Sequence, residues 1–200
     1  MDIVDTPFNT TPKISCLVSH GVGTVIRYCN FSNSLSFPEK CLQLAEAQAL
    51  GAQGVQIAVV FQQRQNQVAD FTELKGTAAG RRAYRHAHDS IGQPPGSVIY
   101  FSVDFDASPD EIDNNITPYF KGIKRAFDEE SAGSSEYRLG AYGSGLVCRG
   151  RPAGARLGAA SVIAMVGDDV VSFLIESGNP VVDTGALVPR GPASNLGDFK

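Results

Sequence analysis

Three carboxylates define the chemistry this chain could perform. The stretch VIYFSVDFD, residues 98–106, is an apolar, β-branched run that ends in Asp104 and Asp106. Residues two apart in a strand point to one face, with Cα atoms about 6.5–7 Å apart. The two acids are therefore expected to project together where the strand leaves the core. Asp5 ends a shorter apolar run, DIVD, at residues 2–5. Each has a plain reading as well: Asp5, before Thr6-Pro7, as a turn former, and Asp106 as a residue just outside a helix cap. Asp104 is the strongest candidate, because an aspartate closing an apolar strand should be buried and must find a partner. Crowded carboxyls raise the pKa of one of their number.

The elements that must position these acids alternate. Strand-like runs cover 2–5, 24–28, 55–61, 98–104 and 137–142, nearly all apolar, as parallel strands covered on both faces should be. A helix over 12–20 follows Thr10 and Thr11 as caps. A second, over 39–53, follows Pro38, with Leu42, Ala45, Ala49 and Leu50 on one face. A third, over 76–91, carries Ala79, Ala83, Ala87 and Ile91 at intervals of four, a small-residue face suited to close packing on a sheet. Ser108-Pro109-Asp110-Glu111 is a capping box with proline at the first helical position. It opens a stripe of Ile112, Ile116, Phe120, Ile123 and Phe127, in which Pro118 predicts a kink.

Such alternation argues for right-handed βαβ units and an α/β fold. The expected architecture is one domain over 1–200, a TIM-like (β/α) barrel of about five helices and eight strands. Its last strands would fall at 161–166 and 170–175 with little between them. An open doubly wound sheet is the competing arrangement. The Arg/Gly/Ala-rich passage from residue 149 onward departs from the patterned chain before it.

In α/β barrels the site lies at the C-terminal strand ends. Here those ends offer Asp5, Arg27, Tyr28, Gln62, Asp104, Asp106 and Tyr142. Such a set suits a polyhydroxylated ligand: aromatic rings for sugar faces, amide and guanidinium for hydroxyls. Tyr100 joins them either as a substrate contact or as core.

Other motifs carry less. Gly21-Val-Gly23 lacks the third glycine of a dinucleotide fingerprint and precedes a strand instead of following one. Tyr142 replaces the first glycine of a nucleophile elbow. His20 reads as a helix C-terminal partner, and His86 and His88 face different ways on their helix. The four cysteines, Cys16, Cys29, Cys41 and Cys148, have no metal-ligand spacing and read as small buried hydrophobes. A Cys16–Cys29 or Cys29–Cys41 disulfide stays open.

The chain resembles a bacterial family of glycoside-hydrolase-like domains of unknown function, itself similar to family-25 lysozyme-type hydrolases. The resemblance rests on VDT (4–6), GVGTVIRYCN (21–30), the Lys40…Glu46 helix, VVFQ (59–62), IYFSVDFD (99–106), Tyr119-Phe120 and RLGAYGSG (138–145), in that order. It implies a barrel of five helices and eight strands acting on, or binding, peptidoglycan-type cell-wall polysaccharide. It also implies catalytic roles for Asp5, Asp104 and Asp106: Asp106 as acid, Asp104 as stabiliser or base, and Asp5 as the group that positions them. Arg27, Tyr28, Gln62, Tyr100 and Tyr142 would hold substrate. Two departures stand out. Asp106 replaces the glutamate of the lysozyme-type Asp-x-Glu motif, retracting the carboxyl by about 1.5 Å, and the chain has no Trp. These favour the alternative of a non-catalytic glycan-binding module on a hydrolase scaffold.

A net charge of −4 without blocks of like charge argues against a nucleic-acid partner. No apolar run approaches the roughly 20 residues of a membrane span. No charged-then-apolar signal segment opens the chain, although the resemblance implies export. The expected partner is a glycan, met by a monomer without cofactor or metal.

Overall fold

The computed structural model describes residues 2–134 and 136–143, and the backbone of short strands at 162–166, 171–172, 175–176, 179–180 and 193–195. Five parallel strands form the centre: β1 (Asp2–Asp5), β2 (Val22–Tyr28), β3 (Gln56–Phe61), β4 (Val98–Val103) and β5 (Arg138–Gly143). Their order in the sheet is their order in the chain, as right-handed crossovers produce. Hydrogen bonding continues from β5 to antiparallel β6 (Val162–Val166) and β7 (Val171–Ser172), and from β1 to parallel β10 (Ala193–Asn195). The strand expected over 170–175 is two short pieces, since Ile175–Glu176 (β8) pairs instead with Asn179–Pro180 (β9). Among the described residues no ladder joins β7 to β10.

Every residue of β2 and β4 is buried, so each strand is covered on both faces. One face meets helices. Val4, Val25, Leu50 and Val55 pack with α1 (Ile14–Ser19) and α2 (Leu44–Ala52). Phe101, Val103, Ala79, Ala83, Tyr119 and Ile123 pack with α3 (Glu73–Arg85) and α5 (Thr117–Glu130). The alternate residues Ile3, Ile26, Ala58, Val60, Val98 and Tyr100 form a separate cluster on the other face.

That inner face is concave. In a flat sheet β1 and β5 would stand four spacings apart, about 19 Å. Yet the Tyr142 hydroxyl on β5 donates to Asp5 Oδ2 on β1 at 3.1 Å. A tyrosine and an aspartate side chain together reach about 10 Å, so the sheet must curl to bring these ends together.

Four helical connections lie between β1 and β5, the last made of α4 and α5 run together, against about five helices expected for the whole chain; residues 144–161 fall outside the described set. The helix expected over 39–53 begins only at Leu44. Cys41 bridges Tyr28 in parallel, and the Leu42 N–H donates to the Tyr28 carbonyl at 2.8 Å, so the chain first extends the β2 ladder. Thr10 does not cap α1 with its side chain. Its hydroxyl donates to Glu46 instead. The Ser108–Glu111 capping box forms, opening α4 (Pro109–Glu111). The kink expected at Pro118 takes the form of a π turn, Ile112–Ile116, which leaves the proline in the first turn of α5, where its missing N–H is tolerated. Cys16, Cys29 and Cys41 are free thiols, so neither disulfide forms; Cys148 lies outside the described residues.

α3 and α5 meet backbone to backbone through glycines. A Cβ added at Gly76 would overlap the Tyr119 carbonyl, and one at Gly122 the Glu73 carbonyl. Gly51, in α2, has open space around it. Gly122→Ala is therefore expected to destabilise the fold by about 1–3 kcal/mol. Gly51→Ala should instead stabilise it by about 0.5–1 kcal/mol. Urea denaturation of both variants checks the contrast, and similar midpoints would contradict the packing described.

Candidate functional site

Strand alternation brings Asp5, Tyr28 and Tyr142 to the mouth of the curled sheet, and Gln62 and Asp104 join them from the first residues beyond β3 and β4. Asp5 follows Ile3 on the inner face, and Tyr28 follows Ile26; Gln62 follows Val60, and Asp104 stands two beyond Ser102 and four beyond Tyr100. Tyr142 packs against the same inner cluster. These five residues come from five successive strand ends and converge.

A trio and a pair result. Asp5 accepts from both phenols, Tyr28 at Oδ1 (2.7 Å) and Tyr142 at Oδ2 (3.1 Å). Burial pushes the Asp5 carboxyl above its ordinary value of 3.8, against the pull of the two phenols, Lys40 and Arg27. Burial, with the Asp5 charge beside it, holds the Tyr28 phenol protonated far above its usual range. Across the mouth, Gln62 Nε2 donates to Asp104 Oδ2 at 3.0 Å. Asn30 fixes the Gln62 backbone by a double contact, donating to its carbonyl at 2.6 Å and accepting from its N–H at 2.9 Å. The Asp104 N–H is bound to the carbonyl of Gln65, a buried residue at φ 53°.

A sixth residue completes the mouth. Lys40 Nζ lies 4.2 Å from the centre of the Tyr28 ring and donates to the Gln62 carbonyl at 3.0 Å. Burial lowers its pKa, while Asp5 and Asp104 pull it back up. Sequence reasoning placed Lys40 on a helix and gave it no role.

Arg27 is corrected. It neighbours Tyr28, so it must face the opposite side of β2, and it is fully buried there. Its Nε and Nη2 bind Glu46 at 2.9 and 3.1 Å, Nη1 binds the Thr6 carbonyl at 2.8 Å, and Nη2 also binds the Glu39 carbonyl at 2.7 Å. It reaches no ligand; it holds the loops that carry Asp5 and Lys40. Its partner Glu46, also buried, went unassigned although it stands in a segment that carries the resemblance. Tyr100 is buried among the inner-face hydrophobics and takes the core reading. Asp106 is not joined to the cluster by any hydrogen bond or ion pair among the described residues. β4 ends at Val103, and Phe105 turns toward Phe71, their rings 5.6 Å apart, leaving Asp104 and Asp106 exposed on an irregular loop. No group of three or more His, Cys, Asp or Glu suited to a metal ion occurs among the described residues.

The family described as Rv2525c-like, glycoside hydrolase-like domain matches residues 15–175. The chain belongs to that family. It is 33% identical over 145 residues to the uncharacterized protein YbfG of Bacillus subtilis, which covers 70% of this chain but 19% of YbfG. To the Mycobacterium tuberculosis protein named "Putative peptidoglycan hydrolase Rv2525c" it is 30% identical over 97 residues, 47% of this chain and 40% of that protein. The chain thus spans about a fifth of the Bacillus relative and less than half of the mycobacterial one. Crystal structures of that mycobacterial Tat-secreted protein, in complex with HEPES and with L-tartrate, share the fold. Each has a TM-score of 0.56 over 68% of this chain and 65% of that one, at 24% and 25% identity.

The raised Asp5 pKa has a definite sign in stability. Between 3.8 and the raised value the folded chain holds more protons than the unfolded one. The stability Asp5 contributes is therefore fully present below 3.8 and is lost as pH rises through the raised value. Urea denaturation of the wild type and Asp5→Asn at stepped pH checks this. The wild type should gain relative to the variant as pH falls from 7 toward 4, and a difference that is flat or of opposite slope would contradict it.

Proposed function

We propose that this domain is a glycoside-hydrolase-like barrel that takes a cell-wall polysaccharide of the peptidoglycan type at the C-terminal mouth of its sheet. The observation that carries the reading is the convergence of Asp5, Tyr28, Gln62, Asp104 and Tyr142 from five successive strand ends onto one concave face. Family membership and the peptidoglycan-related name of the mycobacterial relative support it. The curl that brings β5 to β1 supports closure of the sheet into a barrel, with the C-terminal strands as the closing wall. Export to the cell wall, where such a polymer lies, accords with the Tat-secreted description of the mycobacterial neighbour.

In the catalytic form of this proposal, a carboxyl held protonated gives its proton to the glycosidic oxygen, and an ionised carboxylate stabilises the oxocarbenium-like centre. Burial equips Asp5 to hold a proton at higher pH than an ordinary aspartate. Asp104, exposed and bound by Gln62, faces the substrate side as the carboxylate. Asp106 serves as acid only if substrate draws its loop inward. The non-catalytic reading draws its support from that residue: the acid expected from the lysozyme-type motif is one methylene short and has no partner among the described residues.

Reducing-end release and retention on insoluble peptidoglycan, measured for the wild type and Asp104→Asn, test both forms. A hydrolase should release reducing ends, and the variant should lose about a hundredfold or more of that rate. Retention without release by the wild type would establish the binding-module form. Neither retention nor release would overturn the proposal.

A further inference from the structure

Lys40 lies on the seam between the two carboxylates of the mouth, Asp5 with its two phenols and Asp104 with Gln62. Its ammonium sits against the Tyr28 ring, whose hydroxyl binds Asp5, and against the Gln62 carbonyl, whose side chain binds Asp104. Each acid is therefore one residue away from it, and neither forms an ion pair with it. Among the described residues no carboxylate lies within 4.0 Å of Lys40 Nζ, although the side chain is half-buried. Half-buried cations are commonly paired.

The position is built, not incidental. The Glu39 carbonyl is held by Arg27, the Lys40 N–H by the Phe37 carbonyl, the Cys41 N–H by Asn33 Oδ1 at 2.8 Å, and the Leu42 N–H by the Tyr28 carbonyl. The backbone is fixed on both sides of Lys40, and its ammonium is held by the Gln62 carbonyl and the Tyr28 ring, so less ordering remains when a ligand arrives. An ammonium has three donors. One goes to the Gln62 carbonyl, and the ring face engages the charge without consuming a donor. The remaining capacity points to an incoming acceptor.

Charge selects that acceptor. Asp5 and Asp104 alone would make the mouth hostile to an anionic sugar. Arg27, the other cation nearby, is buried and already bonded to protein groups. We propose that Lys40 is the specificity-determining residue of the mouth and reads a sugar carboxylate, so that the preferred glycan carries free carboxylates and not neutral sugars alone. The inference rests on the glycan reading above and names the substrate class within it. Two sources offer this chemistry: the lactyl ether of a muramic acid freed of its peptide, and the ring carboxylate of a uronic acid.

Titration calorimetry of the full chain with three tetrasaccharides tests it. Chitotetraose is neutral; the peptide-free alternating N-acetylglucosamine–N-acetylmuramic acid tetrasaccharide adds lactyl carboxylates; the hyaluronan tetrasaccharide carries ring carboxylates. The wild type should prefer at least one carboxylated ligand over chitotetraose by about tenfold, the worth of one charge-assisted hydrogen bond, and the preferred arm identifies the source. Lys40→Met should abolish the preference, and Lys40→Arg should keep most of it. A preference that survives Lys40→Met, or an equal loss for all three ligands in both variants, would overturn the inference. Equal binding of all three by the wild type overturns it while leaving the glycan reading intact. Binding of none overturns both.

Discussion

A buried ion pair, Arg27 with Glu46, is the constraint on which the mouth depends. Taking two charges out of water is expensive, and the attraction between them compensates only when every remaining donor and acceptor is bound. Here four of the five guanidinium N–H donors are bound within the protein. Glu46 Oε1 accepts from Arg27, from the Thr10 N–H at 2.7 Å and from the Thr10 hydroxyl at 2.8 Å, while Arg27 spends its other donors on the Thr6 and Glu39 carbonyls. One guanidinium on the helix side of β2 thereby joins the β1–α1 loop, the loop before α2 and α2 itself. Thr6 follows Asp5 and Glu39 precedes Lys40, so the pair sets the positions of an acid and a cation that it does not touch. Removing one partner of such a pair costs about 3–5 kcal/mol.

The same pair shows where sequence reasoning succeeded and where it stopped. Period-two alternation, read strictly, forbids Arg27 and Tyr28 from facing the same way; grouping both as ligand contacts because both sit at a strand end set that rule aside. The five parallel strands, the capping box at Ser108 and the small-residue face of α3 were legible because local pattern determines them. The start of α2 was not. Residues 39–43 carry a passable helical pattern, but the chain turns at 38–39 and a long-range bridge from Cys41 to Tyr28 then holds it out of the helix. Lys40 owes its place in the mouth to that bridge, so a local reading could not find it. Asp104 and Asp106 were expected to project together from a strand, but β4 ends before either of them, and the loop geometry separates their roles.

The chemistry of the mouth follows from unequal environments for like groups. Asp5 is half-buried and accepts hydrogen bonds from two phenols, and burial raises its pKa. Asp104 is exposed and receives a single amide hydrogen bond. Two carboxylates treated so differently suit the division of labour that glycoside chemistry requires, and Lys40 between them offsets their charge toward an incoming ligand. Fold alone would not support that reading, since one scaffold serves many chemistries; the particular side chains at the strand ends do.

The most direct test of the central claim is where a sugar lands. Amide and side-chain chemical shifts of the isotope-labelled chain, followed as chito-oligosaccharide or peptidoglycan glycan fragments are added, locate the contact surface residue by residue. The account predicts that the largest saturable shifts cluster at Asp5, Tyr28, Lys40, Gln62, Asp104 and Tyr142, with Val22, Val55 and Val98 at the opposite strand ends unmoved. Saturable shifts at those opposite ends, or no saturable shift in the mouth with any of these glycans, would contradict it.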